Sequence, residues 1–190
     1  MLKTRCSWPG DDPLYIAYHD SEWGVPVHDD RQLFEFLTLE TFQAGLSWIT
    51  VLRKRDNFRR AFDNFDFHKI AKYSQDKQDE LREDAGIIRN RLKIAAAVNN
   101  AQRFIEVQEE FGSFDTYIWS FVDFKPLDTA CESSEDVPNT TEISDRLSKD
   151  LKKRGFKFVG STVVYAHMQA TGMVNDHIKS CFRYKELWQE

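Results

Sequence analysis

Arg154-Gly155-Phe156-Lys157-Phe158-Val159-Gly160-Ser161-Thr162 reads as the junction of two helices. A basic helix stops at Gly155 and another begins after Gly160, leaving a short turn with two backbone positions free of Cβ. With the helical spacing on either side, this makes a helix-hairpin-helix pattern over about residues 142–172. Exposed turn amides and the start of the second helix can hold a phosphate, and lysines on the first helix add charge. An ordinary tight helix–helix connection has the same spacing, so the pattern alone leaves both uses open.

The rest of the 190 residues is also helical in rhythm. No stretch sustains apolar/polar alternation between turn residues, whereas apolar spacing of three and four recurs through most of the chain. We therefore expect an all-α protein with helices near 30–43, 46–62, 76–84, 88–111, 113–122, 142–154 and 161–172. The segment 123–140, with Pro126, Pro138 and the acids Glu132, Glu135 and Asp136, is the one long loop. The basic junction 84–93, containing Gly86, Arg89, Arg91 and Lys93, is a weaker candidate for a further phosphate contact.

A hydrophobic content of 41% at this length is enough for one good core, so a single domain spanning 1–190 is expected. No apolar run approaches the roughly 20 residues a membrane span needs, and no secretory signal opens the chain. A soluble cytoplasmic protein without a membrane partner follows as the expectation. The net charge of −5 speaks against coating nucleic acid through bulk charge. Its distribution is uneven, because Lys149, Lys152, Lys153, Arg154 and Lys157 face a single acid, Asp150. Such a run can mark a basic face or merely solvate a helix.

Cys6-x12-His19 and His177-x3-Cys181 supply two thiolates and two imidazoles from opposite ends of the chain. That is a complete tetrahedral zinc set with no open position, which suits clasping rather than activating water. Spacing alone does not bring the ends together. Cys131 is left over as a free thiol, and an odd cysteine count disfavours a disulfide framework. His28, His68 and His167 lack partner spacing and read as surface or satisfied core histidines.

Trp8, Tyr15, Tyr18 and Trp23 crowd a segment rich in turn residues, suggesting a stacking pocket. Glu40 and Trp48 bracket Gln43-Ala44-Gly45-Leu46-Ser47, where one apolar helix ends and another begins. Glu40 has apolar neighbours, so burial would be costly unless it met a cation or several donors. Each aromatic alone is equally compatible with core packing, and Glu40 with a surface or capping position.

Five stretches carry a resemblance: Asp12-Pro13-Leu14-Tyr15-Ile16-Ala17-Tyr18-His19-Asp20, Glu22-Trp23-Gly24-Val25-Pro26, Gln43-Ala44-Gly45-Leu46-Ser47-Trp48-Ile49, Gly155 to Gly160, and Val174-Asn175-Asp176-His177. In this order, and with the four metal ligands, the chain resembles the DNA-3-methyladenine glycosylase I family over nearly its whole length. The resemblance implies a helix-hairpin-helix DNA glycosylase fold with one structural zinc at Cys6, His19, His177 and Cys181. It implies Glu40 and Tyr18 at the reacting base, Trp8, Tyr15, Trp23 and Trp48 around it, and Gly155, Lys157 and Gly160 on the DNA backbone. The partner would be double-stranded alkylated DNA, the product free 3-methyladenine, and the working form a monomer. Thr41-Phe42 after Glu40, Ser161 and His167 depart from the family pattern, which bears on pocket shape and on the start of the second hairpin helix.

The implied chemistry suits these side chains. A purine methylated at N3 is cationic, so its glycosidic bond is weakened and the base departs neutral. The enzyme must flip it out, at a cost of a few kcal/mol, and favour it over adenine. A desolvated cation over Trp or Tyr gains about 2 kcal/mol that neutral adenine forfeits. Glu40 adds charge-assisted hydrogen bonds. Asp176, between Asn175 and His177, reads as capping a turn or orienting the zinc imidazole rather than as a base. No lysine intermediate, and hence no strand-cleaving step, is expected. The rival readings are a zinc-clasped module that binds DNA or a partner without catalysis, and a zinc hydrolase.

Overall fold

The computed structural model describes residues 3–187. Most of its described helices start where short polar side chains satisfy free backbone amides. α1 (Pro13–Ser21) is capped by Asp12, which accepts from the Leu14 and Tyr15 amides, with proline in the first turn. α2 (Asp30–Gln43) is capped by Asp29. α3 (Trp48–Leu52) and α4 (Arg55–Ala61) follow, then α5 (Phe67–Ile70) on Asp66 and α6 (Gln75–Glu83) on Ser74. Asn90 caps the longest helix, α7 (Arg91–Phe111), which ends at Gly112, and Ser113 caps α8 (Phe114–Trp119). Thr141 and Ser144 form a reciprocal box at the start of α9 (Glu142–Lys153). α10 (Ser161–Ala170) and α11 (Phe182–Leu187) complete the helices among the described residues.

α2 is the axis of the body. Every residue from Leu33 to Phe42 is buried, the mark of a helix surrounded on all sides. It packs against α3, α7, α8 and α10, and α9 packs on α10. Phenylalanines fill the space between helices, with Phe104 stacked on Phe114 at 4.0 Å between centroids and Phe34 edge-on to Phe104 at 5.2 Å. Such pairs add about 0.5–1.5 kcal/mol each beyond the area they bury.

The expected architecture is observed, with local differences. The helix expected over 46–62 breaks at Arg53 and Lys54, which lets the half of it that follows aim Arg55 inward at Glu35 (2.6 Å) and Glu22 (2.6 Å). α1, α5 and α11 were not expected; each is short, and α1 lies in the turn-rich segment whose aromatics suggested a pocket wall. α7 begins at Arg91 rather than 88 because Asn90 is extended and caps it. A two-residue parallel pair, β1 (Leu127–Asp128) with β2 (Val174–Asn175), ties the long loop to the segment after α10. Among the described residues no helix is long and apolar enough to cross a membrane.

One close approach holds the site's front wall. Gly172 has φ +71, and a Cβ there would sit 2.4 Å from the Pro26 nitrogen and 2.5 Å from the Val25 carbonyl carbon. Only glycine lets the chain after α10 lie against residues 24–27, where the Gly24 amide donates to the Gln169 carbonyl and Val27 to Thr171.

Candidate active site and metal centre

The two chain ends meet. The ligand atoms of Cys6, His19, His177 and Cys181 lie within 4.8 Å of one another, and all four residues are buried. Sulfur and nitrogen stand 3.6 Å apart for Cys6 and His177 Nδ1, 3.5 Å for Cys181 and His19 Nε2, and 3.5 Å for Cys181 and His177 Nδ1. A tetrahedral zinc with sulfur near 2.3 Å and nitrogen near 2.0–2.1 Å would set these edges at about 3.5–3.6 Å. The donor set and its spacing therefore fit a four-coordinate metal. The Cys6 thiol, then the imidazoles, hold the Cys181 thiol far below its ordinary value.

The imidazoles are aimed from behind. His19 Nδ1 meets Asp20 at 2.8 Å, and Asp20 is itself gripped by Arg5, whose guanidinium holds that carboxyl below the usual range. His177 Nε2 donates to the Trp23 carbonyl at 3.0 Å. Such partners fix the tautomer and the direction of a ligand ring. Asp176 is not one of them: neither of the roles expected for it, a turn cap or a support for the zinc imidazole, is what its contacts show. Its carboxylate accepts from Thr129, Tyr165 and Gln169 instead.

Beside the clasp lies a cavity of about 280 Å³. Trp8, Tyr15, Tyr18, Trp23, Glu40 and Trp48 all line it. Trp8 packs edge-on to Tyr15 (4.7 Å) and Trp23 (5.1 Å), and Tyr18 lies tilted against Trp48 (5.5 Å). The same rings rest on the clasp, Trp8 against His19 at 5.2 Å and Trp23 against His177 at 4.6 Å.

Glu40 is 4% exposed, and its Oε2 has no partner. Burial alone pushes its carboxyl up to about 8. The Tyr18 and Tyr15 hydroxyls are also raised, first by burial and then by the nearby Glu40 charge. The indole nitrogens of Trp8 and Trp48 are likewise buried without partners. An acid, aromatic faces and two unsatisfied donors converge on one small space, a lining that can hold a flat ring with a polar edge.

The hairpin is formed by α9, the turn 154–160 and α10. Gly155 has φ +91, and Gly160 sits at the start of α10 with no side-chain cap and open space beside it. Phe158, 39% exposed, is held at φ +55, and Lys157 beside it is exposed. Lys149, Lys152 and Lys153 are exposed as well, but Arg154 is not free: it pairs with Glu110 at 2.7 Å and Asp150 at 2.7 Å. At the second basic junction Arg89 and Arg91 are exposed, while Lys93 turns inward to the Phe42 and Ala44 carbonyls.

Several side chains at the site carried no recognisable sequence signal. Asn100 Nδ2 donates to the Lys157 carbonyl at 3.0 Å and Asn100 Oδ1 accepts from the Lys157 amide at 2.8 Å, while Asn99 holds the Gly155 carbonyl at 2.9 Å. Gln43 and Gln169 line the cavity. His167, expected to be on the surface or satisfied, is buried with both ring nitrogens unpartnered.

All-helical packing around a small aromatic cavity with a buried acid, next to a glycine-marked hairpin, defines the helical glycosylase class. The sequence model of the methyladenine glycosylase family matches residues 8–184. The chain is 51% identical to DNA-3-methyladenine glycosylase 1 of Escherichia coli (strain K12), over 95% of this chain and 96% of that one. It is 47% identical to DNA-3-methyladenine glycosylase of Haemophilus influenzae, over 95% and 97%. A Staphylococcus aureus structure described as the basis of 3-methyladenine recognition superposes with a TM-score of 0.91 at 38% identity, over 94% of this chain and 95% of that one. This chain belongs to the methyladenine glycosylase family.

Proposed function

We propose that the protein is a monofunctional DNA glycosylase that flips 3-methyladenine out of alkylated double-stranded DNA and releases it by hydrolysis, acting as a monomer and a single domain over 1–190. The observation that carries this reading is Glu40, an unpartnered carboxylate walled by Tyr18, Trp48 and Trp8. Desolvating an acid without a partner is costly, and a cationic base edge relieves that cost where neutral adenine cannot. Tyr18 closes the acid's side of the cavity, and Trp8, Tyr15, Trp23 and Trp48 offer faces to the cation.

The hairpin suits the DNA backbone. Gly155 and Gly160 leave turn amides approachable, and Lys157 adds a charge that phosphate would meet. Leu46, 43% exposed on the turn at Gly45 (φ +83), lies in sequence between the cavity-lining Gln43 and Trp48, an apolar side chain suited to filling the gap a flipped base leaves.

Zinc is the metal we assign to Cys6, His19, His177 and Cys181. Its chemistry there is structural, because four protein ligands leave no position for water. A zinc-hydrolase reading thus finds no support in the donor set, and a binding module without catalysis leaves Glu40 unexplained.

The experiment is base release from methylated duplex. Wild-type protein should release free 3-methyladenine, Glu40→Ala should release none while remaining folded, and borohydride should trap no protein–DNA adduct. Normal release by Glu40→Ala would overturn the pocket assignment.

A further inference from the structure

Glu40 and the aromatic rings account for holding a base, yet none of them serves the water that must replace it. A different part of the cavity, from α10 and the segment behind it, is formed by Ala166, Gln169 and Asp176. Asp176 is 2% exposed, and its two carboxyl oxygens accept from three side chains. One oxygen takes the Tyr165 hydroxyl at 2.8 Å and Gln169 Nε2 at 2.7 Å, and the other takes the Thr129 hydroxyl at 2.6 Å. Thr129 is in turn approached by Cys131 Sγ at 3.3 Å. This chain of donors fixes the orientation of the Gln169 amide. With nitrogen committed to Asp176, oxygen is the end left over, and among the described residues no donor reaches it.

Its place along the chain gives that oxygen a task. α10 begins at the hairpin, and Gln169 lies nine residues past Gly160, about 13 Å of helical rise. If phosphate is gripped at the start of α10 and the base enters the cavity, the sugar of the flipped nucleotide lies between them, along the inner side of this helix. We propose that Gln169, oriented by Asp176 as a positioning residue, accepts a hydrogen bond from the water that attacks the sugar. The inference rests on the glycosylase reading above. In the step it serves, the C1′–N9 bond breaks and its electron pair enters the purine, cancelling the positive charge. The water oxygen bonds to C1′, and the proton it loses passes to solvent. An amide oxygen takes no proton, so its contribution is alignment.

Single-turnover excision of 3-methyladenine from duplex, paired with the affinity for free 3-methyladenine, tests this. Gln169→Met preserves side-chain length and removes the acceptor; the rate should fall about 10- to 100-fold with free-base affinity unchanged. The fall should lie in the rate at saturating protein and not in binding of the duplex, a split that a merely structural residue would not give. Asp176→Asn should slow excision in the same way, and if it fails to fold the variant at half-buried Gln169 still decides. A wild-type rate in Gln169→Met overturns the proposal. So does a loss of free-base affinity with the rate at saturation intact, which would make Gln169 a base contact. Wild-type protein that releases no 3-methyladenine would instead defeat the glycosylase reading itself.

Discussion

Glu40 holds its proton up to about pH 8 because burial disfavours the anion. Below its ordinary value of 4.5 both folded and unfolded chains are protonated and nothing is lost. Between about 4.5 and 8 the unfolded chain releases a proton that the native state keeps, so stability falls as pH rises. Glu40→Gln removes that penalty, on the order of a few kcal/mol at the alkaline end. The variant's Tm advantage should widen from pH 5 to pH 8, and an advantage independent of pH would refute the account. His167 runs the other way: burial presses it down to about 3. Its stabilising contribution is complete above about pH 6.5 and is lost as pH falls toward 3, so His167→Phe should flatten the acid side of a Tm-versus-pH curve. Glu40 and the aromatic cluster could be noticed in the sequence, as an acid among apolar residues and rings among turn residues, but each alone fitted core packing or a surface position, and the family resemblance was what joined them. Asn100, Gln169 and the true partners of Asp176 were not legible, since an amide's task depends on neighbours 7 to 57 positions away that no local pattern marks.

Lys93 acts on an element rather than at a point. Its Nζ donates to the Phe42 carbonyl at 2.8 Å and the Ala44 carbonyl at 2.6 Å, where the unpaired carbonyls and dipole of α2 favour a cation. α7 thereby pins the turn that carries Gln43, Leu46 and Trp48. Lys93→Met should cost about 1–3 kcal/mol in stability, by leaving those carbonyls buried without donors. It should also weaken free-base binding through a displaced Trp48, and chemical denaturation with base titration checks both. Periodicity found the long helices, but not the break at Arg53 and Lys54. That break is set by Arg55 reaching Glu35 and Glu22 across the interior, a tertiary demand that overrides local propensity. α1 was missed for the opposite reason, since its Asp12 cap and Pro13 start look like loop residues when the helix they open is only nine residues long.

At the scale of the molecule, Cys6 and His19 on one side and His177 and Cys181 on the other close a loop that spans most of the chain, so a metal held there would add its binding free energy to that of folding. Helical spacing carried the all-α class and the Cys and His pairs offered four candidate ligands, whereas the meeting of the two ends was a fact only of three dimensions. Trp23 belongs to both halves of that meeting, with its carbonyl on His177 and its ring on the base cavity. A residue shared by two sites is a route by which one can be coupled to the other, and any such coupling is reciprocal. Saturating 3-methyladenine should therefore retard the capture of zinc by a chelator. The factor by which it does so at equilibrium should equal the factor by which zinc tightens the base. Equal zinc affinity with and without the base would mean that Trp23 insulates the two sites. Should the two affinities differ, occupancy of the clasp and the hold on an alkylated purine would rise and fall together.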